Sequence, residues 1–310
     1  MDAVIKCDNL SKWYGKILGI SEITLDLKKG IYGLLGPNGA GKSTFLKILS
    51  GQLKQSLGNV TIFNERVFNN NKLFEKIGYC AEYDSFYSYT TGYEFIEFIA
   101  KLHGIGGEKL GKECLNALEL TGMTGRMNDK INTYSLGMRQ RLKLSASLVN
   151  NGDLLILDEP LRGIDPLWRL KIINLIKETG KNDKTILVSS HILPEIEAMT
   201  EEIILIHQGK VFANGNIDEI RSLLDSHPHQ ISIKSNEYRQ IAKDFINKDF
   251  ILKIEFIDND RKVTFETKNR NLFFSMLTDY IVENKVEIEE LTSPDSNLQA
   301  VFDYVVGRKS

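Results

Sequence analysis

The sequence contains few cysteines and no excess of charge of either sign. Its three cysteines, Cys7, Cys80 and Cys114, lie far apart and lack the Cys-x-x-Cys spacing of metal and redox motifs. They indicate reduced thiols of the cytosol. The 39 basic and 41 acidic residues nearly cancel, and the formal net charge is -2. Because no strong electrostatic field would draw polyanions to such a protein, nucleic acid is not an expected partner.

Long apolar runs are also missing from the sequence. No stretch approaches the roughly 18 apolar residues of a membrane span. The segment Met1 to Lys6 lacks the apolar run behind a basic flank that a secretory signal would have. With 310 residues, 42% of them hydrophobic and 26% charged, the chain can bury a sizeable core in one large domain or two. We therefore expect a globular protein that does not cross a bilayer alone.

Short apolar runs alternate with helical patterns over the first two-thirds of the chain. Runs at Ile31–Leu35, Leu154–Leu157 and Ile186–Val188 are bounded by glycine or polar residues, which is typical of strands buried on both faces of a sheet. The segment at about 83–149 lacks such runs and has helical spacing instead. The pattern therefore predicts an α/β domain with a helical insertion at about 83–149.

The chain changes character after Gly209-Lys210, a predicted hairpin turn. Proline and polar residues at 226–229 are typical of a linker, so we predict a first domain at 1–225 and a C-terminal accessory domain at 226–310. The order strand, helix, hairpin, helix, strand favours a small α+β sandwich of ferredoxin-like type in the second domain. The predicted elements include strands near Ile231–Ile233, Leu252–Phe256, Val263–Phe265 and Val286–Leu291, with helices near Leu272–Ile281 and Leu298–Val305.

A complete phosphate-loop pattern follows the first buried strand. Glycines there let backbone N–H groups converge on phosphate oxygens, and the positive end of the following helix dipole adds to the attraction. Lys42 would reach the β and γ phosphates, and the Ser43 hydroxyl would bind Mg²⁺. A glycine-rich turn without a ligand is the alternative. The residues expected to bind the nucleotide are Gly36, Asn38, Gly39, Ala40, Gly41, Lys42, Ser43 and Thr44.

Two carboxylates and a histidine follow two further predicted strands. Asp158 and Glu159 come directly after Leu154–Leu157, at the sheet edge where the phosphate loop also lies. Asp158 would hold the Mg²⁺ shell, and Glu159 would orient and activate the attacking water. Alternatively, the two acids only end a strand and cap the next helix. His191 follows the strand at 186–188 and could hydrogen-bond the γ-phosphate or the water, although a lone histidine is more often structural.

The segment Tyr134–Arg141, Tyr-Ser-Leu-Gly-Met-Arg-Gln-Arg, looks like the signature motif of ABC transporters. Together with the phosphate loop and the two carboxylates, in this order, it makes the first 225 residues or so resemble the family's nucleotide-binding domain. The resemblance implies an α/β fold with an ABC-type P-loop core, a β subdomain and the helical insertion. It also implies an ATPase that uses ATP and Mg²⁺ and powers transport across a membrane.

The resemblance also implies composite sites in a head-to-tail dimer of nucleotide-binding subunits, as a homodimer or a heterodimer. Ser135 and the Gly137 backbone would touch the γ-phosphate bound by the other subunit. Asp165, in Gly163-Ile164-Asp165, looks like part of the D-loop that crosses the interface. Tyr14 matches the aromatic residue that stacks on adenine. Stacking by Trp13, or simple burial of Tyr14, are the alternatives.

Two positions depart from the family pattern. The usual Ser-Gly-Gly-Gln is Ser135-Leu136-Gly137-Met138 here, a form that resembles a subgroup of exporters. Glu82 stands where the family usually has a glutamine that links Mg²⁺ and water to the membrane partner. A carboxylate keeps an oxygen for the metal, but it loses the amide donors and adds negative charge near the γ-phosphate. We therefore predict that Glu82 contacts Mg²⁺, with slower or more Mg²⁺-dependent turnover.

The resemblance further implies a separately encoded transmembrane permease and a location on the cytoplasmic face of the cell membrane. Aromatic residues follow Glu82 where the family receives a helix of the membrane subunit, and packing within the helical insertion is the alternative use for them. A soluble ABC ATPase acting on ribosomes or DNA, and a nucleotide-gated module with vestigial hydrolysis, are the other functions considered. The short basic run at 139–143 fits a solvated face or a membrane surface. The aromatic residues are Tyr83, Phe86, Tyr87, Tyr89 and Tyr93.

Overall fold

The computed structural model describes residues 3–87, 89–181, 183–217, 219–220 and 229–293. The chain divides into two compact units, Met1–Ile217 and Asp218–Ser310. The predicted domain boundary between residues 225 and 226 lies outside the described residues. Within these described ranges, no helix combines the length and the apolar character that a membrane span requires.

Strands and helices alternate along the first unit. Its strands are β1 (Ile5–Tyr14), β2 (Ile17–Leu27), β3 (Ile31–Leu35), β4 (Leu57–Ile62), β5 (Glu65–Arg66), β6 (Ile77–Cys80), β7 (Leu154–Leu157), β8 (Thr185–Ser190), β9 (Glu202–His207) and β10 (Lys210–Asn216). Its helices are α1 (Lys42–Leu49), α2 (Asn71–Phe74), α3 (Gly92–Leu102), α4 (Glu108–Leu120), α5 (Leu136–Leu148), α6 (Pro166–Lys181) and α7 (Leu193–Glu197).

The central sheet has the strand order β10-β9-β3-β8-β7-β6. Its members β9, β3, β8, β7 and β6 are parallel, and β10 pairs with β9 in antiparallel fashion through the predicted hairpin at Gly209-Lys210. All three predicted strands are present, and β8 extends to Ser190. Because parallel strands end at the same edge of a sheet, the segments after β3, β6, β7 and β8 meet there.

A second, antiparallel sheet shares a buried core with the central sheet. It has the order β2-β1-β4-β5 and forms the β subdomain that the sequence resemblance implied. Its inward side chains, among them Ile5 and Leu10, share one buried core with Phe45 and Leu46 of α1. Burial of these apolar surfaces, at about 25 cal/mol per Å², fixes α1 and therefore the loop that precedes it.

The predicted helical insertion is present as α3, α4 and α5. Thr91 and Glu94 form a capping box that starts α3, since each side chain bonds the backbone N–H of the other residue. The insertion has its own core, in which Phe95, Leu118 and Leu142 are buried. Phe98 does not join that core: it is 43% exposed and its ring contacts Tyr87.

The second unit has the predicted order strand, helix, hairpin, helix, strand. Its sheet is antiparallel with the order β12-β13-β11-β14, which is the ferredoxin-like arrangement of a β-α-β-β-α-β unit. The rings of Phe245, Phe265 and Phe273 form its core, with centroids 5.1–5.8 Å apart. The elements are β11 (His229–Lys234), α8 (Tyr238–Phe245), β12 (Ile251–Ile257), β13 (Lys262–Thr267), α9 (Arg270–Asn284) and β14 (Glu290–Thr292).

One predicted strand in this unit began too early. The alternation at Val286 and Ile288 predicted a strand from residue 286, but β14 starts at Glu290. Lys285 ends α9 in the left-handed conformation, and Val286 is buried in the core directly after it. The apolar pattern there therefore reflects a packed connection. The predicted helix near residues 298–305 lies outside the described residues.

Candidate active site

The phosphate loop connects β3 to α1 and lies tightly against neighbouring backbone. A Cβ at Gly36 would lie 2.3 Å from the carbonyl oxygen of Ile206, so only glycine fits there. Gly41 has φ = 108°, a conformation that disfavours a side chain, and it leads directly into α1. The Nζ of Lys42 donates hydrogen bonds to the carbonyl oxygens of Gly36 and Pro37, at 2.6 and 3.2 Å. This lysine is therefore folded back over its own loop.

One hydroxyl holds the two carboxylate residues after β7 in place. The Oγ of Ser189, on the neighbouring strand β8, donates to Asp158 Oδ1 at 2.6 Å and accepts from the backbone N–H of Glu159 at 2.9 Å. The Asp158 side chain is almost completely buried. The Nε2 of Gln140, on α5, donates to the carbonyl oxygen of Glu159 at 3.2 Å. Sequence analysis assigned no role to Ser189 or Gln140.

The Glu159 side chain contacts a histidine and a lysine. Its oxygens lie 3.0 and 3.1 Å from Nδ1 of His191, and one lies 3.8 Å from Nζ of Lys42. Burial raises the pKa of Glu159, and the hydrogen bond from His191 partly opposes that rise. Burial likewise lowers the pKa of Lys42, against the attraction of Glu159. A carboxylate with a raised pKa beside a lysine is suited to receive a proton from water.

Glu82 forms an ion pair that sequence analysis did not predict. Its Oε1 accepts a hydrogen bond from Arg162 at 2.6 Å, and its carbonyl oxygen accepts one from Nζ of Lys143 at 2.7 Å. Lys143 and Arg139 also pair with Asp84, at 3.2 and 2.7 Å. The basic run at 139–143 is therefore not simply a solvated face, because the Lys143 side chain is buried in contacts with the segment after β6.

Tyr14 lies beside the phosphate loop at the edge of a cavity of about 750 Å³, a size that is typical of ligand pockets. Its ring is 44% exposed, its hydroxyl lies 3.4 Å from Oγ1 of Thr44, and Trp13 does not line the cavity. The exposed ring argues against simple burial of Tyr14, and stacking on adenine by Tyr14 or by Trp13 stays a prediction. The lining residues that sequence analysis had singled out are Tyr14, Asn38, Gly39, Ala40, Gly41, Lys42, Ser43, Thr44, Glu82, Tyr83, Glu159 and His191.

Four of the predicted nucleotide contacts do not line this cavity: Gly36, which packs against the Ile206 carbonyl, and three residues of the signature and D-loop segments. Ser135 caps α5, where its Oγ accepts the N–H of Met138 at 3.2 Å. Gly137 packs against the carbonyl of Gly163, only 3.0 Å from where its Cβ would stand. The Oδ1 of Asp165 accepts the N–H of Trp168 at 3.1 Å at the start of α6. The signature segment and the predicted D-loop are therefore neighbours, away from the phosphate loop of the same chain.

The oxygen ligands predicted for Mg²⁺ fit a cation that relies on phosphate and water as well as protein. Ser43 and Glu82 line the cavity, and Asp158 lies directly before Glu159 in the chain. No group of three or more His, Cys, Asp or Glu side chains within the described residues could hold a metal ion by itself. Mg²⁺ is usually bound by one or two carboxylates plus substrate phosphates, so the residues present suit it.

Known proteins are similar to this chain in sequence. Residues 20–162 match the family model described as ABC transporter. The bacitracin transport ATP-binding protein BcrA of Enterococcus faecalis is 35% identical over 289 residues, covering 90% of this chain and 93% of that protein. The chain belongs to the ABC transporter family. It is also 30% identical to the linearmycin resistance ATP-binding protein LnrL of Bacillus subtilis (strain 168), over 98% of this chain and 99% of that protein.

Solved ABC cassettes have the fold of this chain over about two-thirds of its length. A dimeric ATP-binding cassette in a post-hydrolysis state, bound to ADP and Pi, has a TM-score of 0.64 and 26% identity, covering 69% of this chain and 98% of that chain. An ATP-binding subunit of an ABC transporter has a TM-score of 0.66 at 25% identity. This ABC transporter subunit therefore binds and hydrolyses ATP to drive transport, and it reaches the membrane through a permease.

Proposed function

We propose that this ABC subunit powers the export of an antibiotic through a separately encoded permease. Relatives that match it over most of its length carry bacitracin transport and linearmycin resistance in their names. A lantibiotic transport ATP-binding protein SrtF of Streptococcus pyogenes is 34% identical over 74% of this chain. The observation that carries the hydrolytic part of the proposal is the convergence of Lys42, Glu159 and His191 on one cavity beside the phosphate loop.

The side chains around the cavity divide the reaction between them. The phosphate loop and Lys42 would hold the β and γ phosphates, and Tyr14 would stack on adenine. Glu159 would take the proton of the attacking water while His191 fixes the direction of its carboxylate. Mg²⁺, held by Ser43, Asp158 and Glu82, would neutralise phosphate charge when bound.

The positions of the signature residues support a composite site in a head-to-tail dimer. Ser135, Gly137 and Asp165 lie outside the cavity of their own chain, and the Leu136 side chain between them is 51% exposed. A relative of the same fold is dimeric with ADP and Pi bound. Either a homodimer or a heterodimer would complete both sites.

A groove next to the catalytic cavity supports docking of the permease. It has a volume of about 270 Å³ and lies between β6, the segment after it and α3. Tyr83 and Phe86 line the groove, Phe86 also packs on Phe95 with ring centroids 5.0 Å apart, and Tyr87 and Tyr89 are exposed nearby. Aromatic side chains around a groove are suited to receive a helix of a partner. This would place the subunit on the cytoplasmic face of the cell membrane.

Replacement of Glu159 by glutamine tests the hydrolytic part of the proposal. The amide keeps the shape of the side chain but cannot accept a proton, so we expect ATP turnover to fall by at least about 100-fold. Nucleotide should still bind, and ATP should now double the mass measured by light scattering, because hydrolysis no longer separates the dimer. Lys181→Gln, on the exposed face of α6, is the control.

Turnover of Glu159→Gln at the wild-type rate would contradict the role of Glu159, and an ATP-bound monomer would contradict the composite site. The cargo needs a separate experiment. Co-expression with the permease proposed as its partner should protect a sensitive host from bacitracin, linearmycin or a lantibiotic, and Glu159→Gln should abolish that protection.

A further inference from the structure

The ion pair between Glu82 and Arg162 joins two segments that meet at the catalytic cavity. Glu82 follows β6, and Arg162 lies three residues beyond Glu159. Both line the cavity, and Arg162 is the one cation within 4.0 Å of the Glu82 carboxylate among the residues the structure describes. The carboxylate is 19% exposed and the Arg162 side chain is 54% exposed, so the pair lies at the cavity wall with the guanidinium on the solvent side.

Both partners of this pair are anchored through their own backbone. The N–H of Arg162 donates to the carbonyl oxygen of Glu159 at 3.2 Å, in the tight turn that follows the catalytic carboxylate. The carbonyl oxygen of Glu82 is bonded to Lys143 at 2.7 Å. With both backbones held, the 2.6 Å contact joins the two side chains across the cavity wall. The contact therefore fixes where the Glu82 carboxylate stands.

The pair balances the charge that faces the nucleotide. The charges of Glu159 and Asp158 already act on Lys42 of the phosphate loop, so two carboxylates stand against the positive charge of that lysine. Glu82 acts on Lys42 as well, since its charge raises the pKa of that lysine. An unpaired third carboxylate would repel the phosphates of ATP. With Arg162 beside it, the two charges cancel, and the pair adds no net charge to the cavity.

We propose that Arg162 is the positioning residue of Glu82. Its guanidinium neutralises the carboxylate and holds it at the cavity wall, so that a glutamate can serve in the place of a neutral amide without weakening ATP binding. The proposal rests on the proposed function, in which this cavity binds ATP. It assigns to Arg162 a role in nucleotide affinity and cation dependence rather than in the chemical step.

Four proteins test the pair: wild type, Arg162→Gln, Glu82→Gln and the double variant. The Kd of ATP is measured by displacement of a fluorescent ATP analogue, once in EDTA and once in excess Mg²⁺. One unpaired carboxylate near the phosphates, at an effective dielectric constant of about 20 and partly screened by water, corresponds to about a tenfold loss of affinity. We therefore expect Arg162→Gln to weaken ATP binding about tenfold in EDTA and clearly less in Mg²⁺, because the cation supplies the missing positive charge.

The Kd of the double variant distinguishes an effect of charge from a merely structural role of Arg162. The double variant has the same net charge at the cavity as wild type, so it should bind ATP within about twofold of wild type and recover the affinity that Arg162→Gln loses. Arg162→Lys keeps the charge and should retain most of the affinity. Lys181→Gln removes the same charge from an exposed site on α6 and should change neither Kd.

Several outcomes would overturn the proposal without touching the proposed function. These are wild-type affinity in Arg162→Gln, an equal loss in EDTA and in Mg²⁺, or a full loss that persists in the double variant. If wild type itself binds no ATP in either condition, the proposed function fails, and this inference fails with it. A thermal unfolding curve of each variant, compared with wild type, shows that affinities are measured on folded protein.

Discussion

Loss of the hydrogen bond between His191 and Glu159 should change the pH at which ATP hydrolysis begins. The Nδ1 of His191 lies 3.0 and 3.1 Å from the two carboxylate oxygens, and an ionised carboxylate can only accept, so Nδ1 carries the proton of this bond. The bond stabilises the ionised form of Glu159. Its removal should raise further a pKa that burial already raises.

The size of the shift follows from the strength of the bond. Hydrogen bonds to charged groups contribute about 1.5–3 kcal/mol, and the lower end applies because the His191 side chain is 47% exposed. One pKa unit corresponds to about 1.36 kcal/mol, so the pKa of Glu159 should rise by about one unit. Since the base must be ionised to accept a proton, the acidic limb of the rate profile should move to higher pH by the same amount.

Two variants of His191 distinguish loss of this hydrogen bond from a general disturbance of the active site. In His191→Leu the donor is gone, whereas the amide nitrogen of His191→Asn can stand where Nδ1 stood. Single-turnover ATP hydrolysis measured from about pH 5 to 9 should show a shifted limb for the leucine variant and an unshifted limb for the asparagine variant. A lower rate with an unmoved limb in His191→Leu, or equal shifts in both variants, would refute the reasoning.

Two further predictions concern stability. Burial raises the pKa of Glu159 above 4.5, so the folded state binds its proton more tightly than the unfolded state, and stability falls as pH rises through this range. Urea unfolding should therefore show Glu159→Gln to be more stable than wild type at neutral pH, and the gain should vanish below about pH 4.5; a gain that persists in acid would contradict this cause. Gly163 has φ = 72°, and its Cβ would lie 2.5 Å from Leu136. Gly163→Ala should thus lose about 1–3 kcal/mol in the same assay, part of which Leu136→Ala should restore, and an unchanged midpoint would refute the clash.

The sequence was sufficient to predict the parts of the site that depend on local patterns. The phosphate loop, the strands before Asp158 and His191, and the helical insertion are each encoded within a few neighbouring residues, so periodicity and motif spacing could find them. The predicted ferredoxin-like order of the second unit is also confirmed, because each of its described strands and helices has its own alternation or amphipathic face.

The contacts that orient the site could not be predicted in this way. Arg162 and Glu82 are 80 residues apart in the chain, and Ser189 and Asp158 are 31 apart. The residues next to Arg162 in the sequence do not indicate that its guanidinium pairs with a glutamate, because this ion pair depends on which strands are neighbours in the sheet. The strand start predicted at Val286 is wrong for a related reason, because a buried connection has the same apolar sequence pattern as a strand.

The Ser189 hydroxyl ties the chemistry of this protein to the alignment of two strands. In the sheet, Leu157 pairs with Val188, so the next residue of each strand brings Asp158 and Ser189 side by side. A shift of that alignment by one residue would turn the hydroxyl to the opposite face and leave both acids without their shared anchor. Loops that lie away from these strands can change length during divergence or engineering without moving this contact. A single residue inserted inside either strand would instead separate Asp158 and Glu159 from the Ser189 hydroxyl.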